Sequence, residues 1–400
     1  MIEKNSVLMT IPLDSTMTKL SCKGTPIEGI ADIAREDDVL ALLILFEKFE
    51  RGEKSRWYKH LRLLPGCYHS ISNYTDSELE YIEGCNLYSI GIAWKQQIHE
   101  DFISLRRLIL LSPNEDITEL ISKEWFTLEA YHWALCTIWS RFISVAIPDS
   151  VVPVKAMVPL VDFFNHSSHS LASHVEDEQT LKIVTGQEWN EGEEIYISYG
   201  LVPNSKLLML YGFCIINNPN ACVDLWASID PTSPNYGSKL LALSKAGINP
   251  ETDAFKLVAN MLPTSLLTFI RIQEADVECM HLLLEAPNDP ISKSLEQKVC
   301  DKLEAVILSL LARYKHSLDS DKERLRTWGL LEPVLMSVPG NLSGGEGAED
   351  DHCHVGASHF VLPSQREQNA VILCYSEKVV LHSVLDELRK YASEVIPSLP

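Results

Sequence analysis

The sequence is short of positive charge. Its 34 Lys and Arg stand against 55 Asp and Glu, a formal net charge of −21. Such an acid surplus repels phosphate backbones, so direct nucleic-acid binding is not expected without a local basic patch, and a basic protein is the better-matched partner. The densest basic stretch, Arg51 to Arg62, interleaves its cations and His60 with Trp57, Tyr58 and Leu61. It reads as the solvated side of a partly buried segment. Long apolar runs are missing too: Val39–Phe46 and Ala305–Leu311 are short and bounded by charge, so no membrane span is expected. The ten cysteines contain no Cys-x-x-Cys, and most sit among apolar neighbours, as reduced core thiols do. A reducing compartment follows as the expectation: cytoplasm, nucleus or plastid. Met1 to Leu13 has no apolar stretch of secretory type, and no internal repeat is visible.

What is present is the composition of a protein with a substantial core: 46% apolar residues, 22% charged, and eight Trp, 13 Tyr and 11 Phe. Four hundred residues suit two domains. The first strand is expected at Val7–Pro12. Asp37 or Asp38 is placed to cap a helix running toward Gly52, and Thr75-Asp76-Ser77-Glu78 has capping-box spacing. Further helices are expected near Glu100–Leu111 and Thr127–Arg141. From Val151 to Gly200 the pattern changes to short β-rich runs, Val151–Val154, Met157–Val161, Leu181–Val184 and Ile195–Ser198, parted by turn residues. A helix capped by Asn204 or Ser205 should stop at Gly212. Beyond Asn217 the chain reads as mainly helical, with helices opening at Pro263 and spanning Pro290–His316 and Gln365–Ile396. The Gly-, Glu- and Asp-rich stretch Val338–Pro363 reads as a disordered loop.

Four stretches set polar residues against apolar structure: Trp139-Ser140-Arg141, Leu160 to Ser167 with Asp162 and Asn165-His166, Glu194 to Gly200 with Tyr199, and Leu210-Tyr211-Gly212-Phe213. Each alone is weak, since His166 could be a structural histidine and Tyr211 a core tyrosine. A metal site from Asp162, His166, His169 and His174 is not expected, because the spacing offers no common helix face and no Cys pair. In this order and together, however, the stretches resemble SET-domain protein methyltransferases of the Rubisco large-subunit lysine methyltransferase branch. Ser244 to Pro250 and the segment from Pro263 resemble that branch's C-terminal substrate-binding domain.

The resemblance implies an α+β fold: a β-rich SET core over residues 1–216 with a helical insertion at about 30–145, then a helical substrate-binding domain over 217–400, the whole expected to be monomeric. It implies S-adenosylmethionine as cofactor and a protein acceptor, lysine by default and histidine as the alternative. Residue by residue, Tyr199 would be catalytic, beside the transferred methyl. Asn165 and His166 would hold the cofactor's adenine, with main-chain help from Ser6 and Leu8. Arg141, Asp162 and Tyr211 would form the substrate side. Methyl transfer needs a neutral nitrogen lone pair in line with a sulfonium methyl; a free lysine titrates at ~10.4, so the site must admit a deprotonated amine and align it. The family's Gly-x-Gly-Leu turn would fall before Met1. The expectation for this chain is therefore weak cofactor binding, and a binding module with impaired catalysis is the competing reading.

Overall fold

The computed structural model describes residues 1–147, 151–177, 179–249, 251–252, 254–331 and 363–399. The expected loop at 338–363 lies outside them but for Pro363. Strand β1 (Val7–Pro12) runs antiparallel to β6 (Thr180–Val184), which also pairs with β5 (Ser173–Glu176). Strands β2 (Phe142–Val145) and β3 (Val154–Met157) form a second ribbon, and β4 (Asn165–His166) lies parallel to β7 (Tyr196–Ile197). These small sheets share a core of Ile11, Val145, Ala156, Val158, Val161, Leu181 and Ile183.

The helical insertion stands between β1 and β2. Helix α1 (Glu36–Leu45) is buried at every position from Asp38 to Leu45, so it is the centre of its cluster rather than an amphipathic cover. Asp37 and Asp38 do not cap it; they lie in its first turn with Glu36, where negative charge suits the helix dipole, and the chain turns in at Arg35. Buried Asp38 is held by the Arg35 guanidinium at 2.7 and 2.9 Å and by the Tyr131 hydroxyl at 2.5 Å. After the short helix α2 (Tyr58–Leu63), the Thr75 capping box forms but opens a single turn. Helix α3 runs over Asn86–Leu110, starting well before Glu100. Gly91 is inside it: a Cβ there would meet Ile71 Cγ1 at 2.9 Å, so the glycine permits close packing instead of ending the helix. Helix α4 (Leu128–Arg141) is capped by Thr127 and ends at the site.

Past Gly212, whose φ of 80° closes the preceding π-type turn, the chain is mostly helical. It also contains a strand pair not foreseen from sequence, β8 (Cys222–Leu225) against β9 (Phe255–Val258). Helices α5 (Tyr236–Lys245), α6 (Thr264–Glu274), α7 (Val277–Glu285), α8 (Lys293–Leu311) and α9 (Leu318–Thr327) lead to α10 (Gln365–Glu394). Ala370, Leu373 and Cys374 of α10 pack with Ile71, Tyr74, Ile82 and Leu208 of the first half, and Val380 to Leu388 with the C-terminal core. The Asn369 amide donates to Gly212 O at 2.9 Å, and its oxygen accepts from Cys214 N at 3.1 Å. One helix thus belongs to both cores. Among the described residues no helix is long and apolar enough to cross a membrane.

Candidate active site

Three chain segments converge at the end of α4. The first is α4's last turn, which delivers Ser140 and Arg141. The second is the turn Val161–Phe163, entered through Leu160 at φ 72°, a left-handed conformation costly for a branched side chain. That bend drives Asp162 inward until its carboxylate has no solvent exposure. The third is the strand β7 and its exit to Tyr199.

The β4–β7 pairing is only two residues long, Asn165 opposite Tyr196 and His166 opposite Ile197, yet it brings together segments some thirty positions apart. Tyr199 N–H donates to His166 Nδ1 at 3.0 Å, which assigns the imidazole hydrogen to Nε2. Burial holds His166 below the usual imidazole range, consistent with that neutral acceptor role. The Tyr199 hydroxyl donates to Phe164 O at 2.7 Å. Its ring is stacked between His166, at 4.9 Å, and Tyr211, at 4.8 Å. Burial first, then the neighbouring Tyr211, pushes the Tyr199 phenol up to about 12; burial also raises Tyr211. Both remain neutral phenols at physiological pH.

Arg141, Asp162, Tyr199 and Tyr211 line one cavity of about 360 Å³, within the range of small-ligand sites. Arg141 Nη1 donates to Asp162 O at 2.8 Å and lies 3.5 Å from Oδ2. Burial raises the Asp162 carboxyl to about 7, against the pull of Arg141. Asn165 and His166 stand beside this cavity rather than among its lining residues; the Asn165 amide reaches outward to Glu194 at 2.6 Å. Ser6 and Leu8 do not line it either. Ser6 has both main-chain groups paired inside the protein, its N–H to Glu3 O and its carbonyl accepting from Thr185 N. Leu8 sits at the register irregularity between Val7 and Met9. Among the described residues no cluster of three or more His, Cys, Asp or Glu is placed to hold a metal.

One residue that the sequence reading passed over belongs here. His60, assigned there to a solvated face, is only 7% exposed, and its Nε2 lies 3.4 Å from Asp162 Oδ2. Its only cue in the sequence is its place between Trp57 and Leu61.

Comparison with known proteins bears on the fold. The SET domain of LSMT, solved bound to MeLysine and AdoHcy, superposes with a TM-score of 0.76 over 100% of this chain and 85% of that one, at 20% identity. Rubisco LSMT bound to AdoMet gives the same score. This chain has the SET fold. Residues 230–381 match the family described as Rubisco LSMT substrate-binding, so the SET core is followed by that helical region. In sequence the chain is similar to the actin-histidine N-methyltransferases of Gallus gallus (25% identity over 94% of this chain and 66% of that protein) and Homo sapiens (25%, 93% and 64%). The chain therefore spans just under two thirds of the length of these curated relatives.

Proposed function

We propose that this chain is an S-adenosylmethionine-dependent protein N-methyltransferase whose acceptor is a side-chain nitrogen admitted in its neutral form. The observation that carries the reading is the Tyr199 hydroxyl, a neutral phenol at the cavity wall, pinned by the Phe164 carbonyl and with its ring fixed between His166 and Tyr211. Its proton is committed to Phe164 O, so the oxygen's remaining lone pair is what it can offer to an N–H of the acceptor. A phenol orients an amine without holding it as a cation, as a carboxylate would. When bound, the cofactor supplies an electrophilic methyl group. The wall suits it: Arg141 and Lys206 match a carboxylate, and Val161, Ile183, Ile197 and Val202 cover apolar surface. Asn165 and His166 would hold the adenine end from beside the cavity, and Tyr211 would flank the acceptor. A neighbouring cavity of about 660 Å³ shares Lys206 and Leu210 and extends to Trp226 and Glu377; it would receive the polypeptide around the acceptor.

Histidine is the acceptor favoured by the relatives' activity. It fits the site's demand as well, because an imidazole is largely neutral near pH 7 while a lysine amine is not. The test incubates the chain with methyl-labelled S-adenosylmethionine and purified actin or whole-cell protein, followed by acid hydrolysis. Labelled methylhistidine is the expected product; labelled methyllysine would return the acceptor to lysine, and no label on any protein would sink the function.

A further inference from the structure

The wall behind the cavity holds a buried unit that the reaction as described does not use. His60, on α2, sets its ring 5.3 Å from that of Phe163 and its Nε2 3.4 Å from Asp162 Oδ2. The Arg141 guanidinium lies 5.6 Å from the same Phe163 ring, so one aromatic residue is flanked by His60 and Arg141 while Asp162 lies within reach of both. Four buried polar atoms of the three side chains find no hydrogen-bond partner among the described residues: His60 Nδ1 and Nε2, Asp162 Oδ1 and Arg141 Nε. Buried polar groups are nearly always paired, and a concentration of exceptions at a cavity wall marks a unit kept adjustable instead of one locked for stability.

Resting on the methyltransferase reading, we propose that His60 is a positioning residue of the transfer site: acting through the Asp162 carboxylate, it decides when Arg141 is gripped and aimed at the cavity. Arg141 is held by the Asp162 main chain and, more loosely, by its carboxylate. The carboxylate part of that grip exists only while Asp162 is ionised. Burial, with the Arg141 charge, lowers His60 to about 4, so at neutral pH it is an uncharged N–H donor and not a salt-bridge cation. Its Nε2, 3.4 Å from Asp162 Oδ2, makes no hydrogen bond as it stands; a small turn of the ring would let its N–H donate, and a neutral donor so placed stabilises the ionised carboxylate. The other groups near the unit are Tyr199, which feels the Asp162 charge, and Tyr68, whose phenol feels Arg141. With burial holding Asp162 at about 7, the switch from loose to gripped falls in the physiological range.

The test uses the full chain with carboxyl-labelled aspartate. The Asp162 signal, assigned by its loss in Asp162→Asn, is followed by NMR across pH in wild type, His60→Phe and His60→Gln. His60→Phe keeps a flat ring against Phe163 but removes the N–H; His60→Gln keeps an N–H donor. The Asp162 midpoint should rise by about one pH unit in His60→Phe, the size of one hydrogen bond to a charged group, and by much less in His60→Gln. The acid limb of the methyl-transfer profile should move by the same amount, with the plateau at high pH kept. An unchanged midpoint in His60→Phe would overturn the proposal, and so would a shifted midpoint with an unshifted acid limb. If His60→Phe does not fold, His60→Met removes the same N–H and is read in the same way. The titration needs no turnover: a shifted midpoint in a chain whose wild type transfers no methyl group would count against the enzymatic reading and leave the His60–Asp162 coupling standing.

Discussion

Two arginine–carboxylate pairs among the described residues, Arg271–Glu296 in the helical half and Arg141–Asp162 at the cavity, are built differently. In the helical half Arg271 meets Glu296 through two parallel bonds of 2.5 and 2.9 Å, and Tyr391 adds a third to Glu296 at 2.9 Å. Both side chains are almost fully buried, and neither leaves a polar atom unpaired among the described residues. At the cavity, Arg141 and Asp162 approach no closer than 3.5 Å between side chains, and each has an unpaired polar atom. The first is a lock, with the bidentate geometry that repays the cost of desolvating both charges. The second leaves that cost partly uncompensated, an arrangement that makes sense where a group must respond to a ligand or a proton.

Breaking the lock should have the largest effect. Glu296→Ala leaves Arg271 buried and unpaired, and should lower unfolding free energy by about 3–5 kcal/mol in a denaturant titration. A loss below about 1 kcal/mol would mean that the two pairs do not differ in kind. On the cavity side the largest effect should fall on turnover: Tyr199→Phe deletes one hydroxyl and its bond to Phe164 O, costing about 1 kcal/mol of stability, while methyl transfer drops ~10²–10³-fold. Cofactor affinity by calorimetry should move far less. Equal turnover would pass the role to Tyr211. The smallest effect sharpens the comparison by sign. Asp162 is raised in the folded state to about 7, so its contribution to stability is fully present below the unfolded carboxyl value and is lost as pH climbs toward 7. Wild type should therefore lose stability between about pH 4 and 7, by at most about 1.4 kcal/mol per pH unit from this group, and Asp162→Asn should lack that slope in parallel thermal melts.

The sequence disclosed what is local. Thr75 caps as its spacing says, a helix does end at Arg141, and Gly212 ends its turn. Tyr199 could be set beside Asn165-His166 because a family pattern carries the crossing of two segments, which no periodicity would reveal. What stayed hidden is what tertiary packing decides. The close approach of Ile71 to Gly91 has no local signature. The β8–β9 pairing joins strands some thirty residues apart with a helix between them. His60 lies in a basic run, and only the inward bend at Leu160 brings a carboxylate to meet it. Ser6 shows the same dependence: a strand's spare main-chain groups cannot be counted until its neighbours are known, and Thr185 and Glu3 use those of Ser6.

The double membership of α10 bears on how the chain is made. Ribosomes deliver residues in order, and a domain can ordinarily fold once its own stretch has emerged. Here the cluster around Ile71, Tyr74 and Leu208 closes only with Ala370, Leu373 and Cys374. Translation must therefore run some 160 residues past Leu208 before that apolar surface is covered. For that interval the nascent first half presents an open hydrophobic face, and a stop codon anywhere before α10 would leave it open for good.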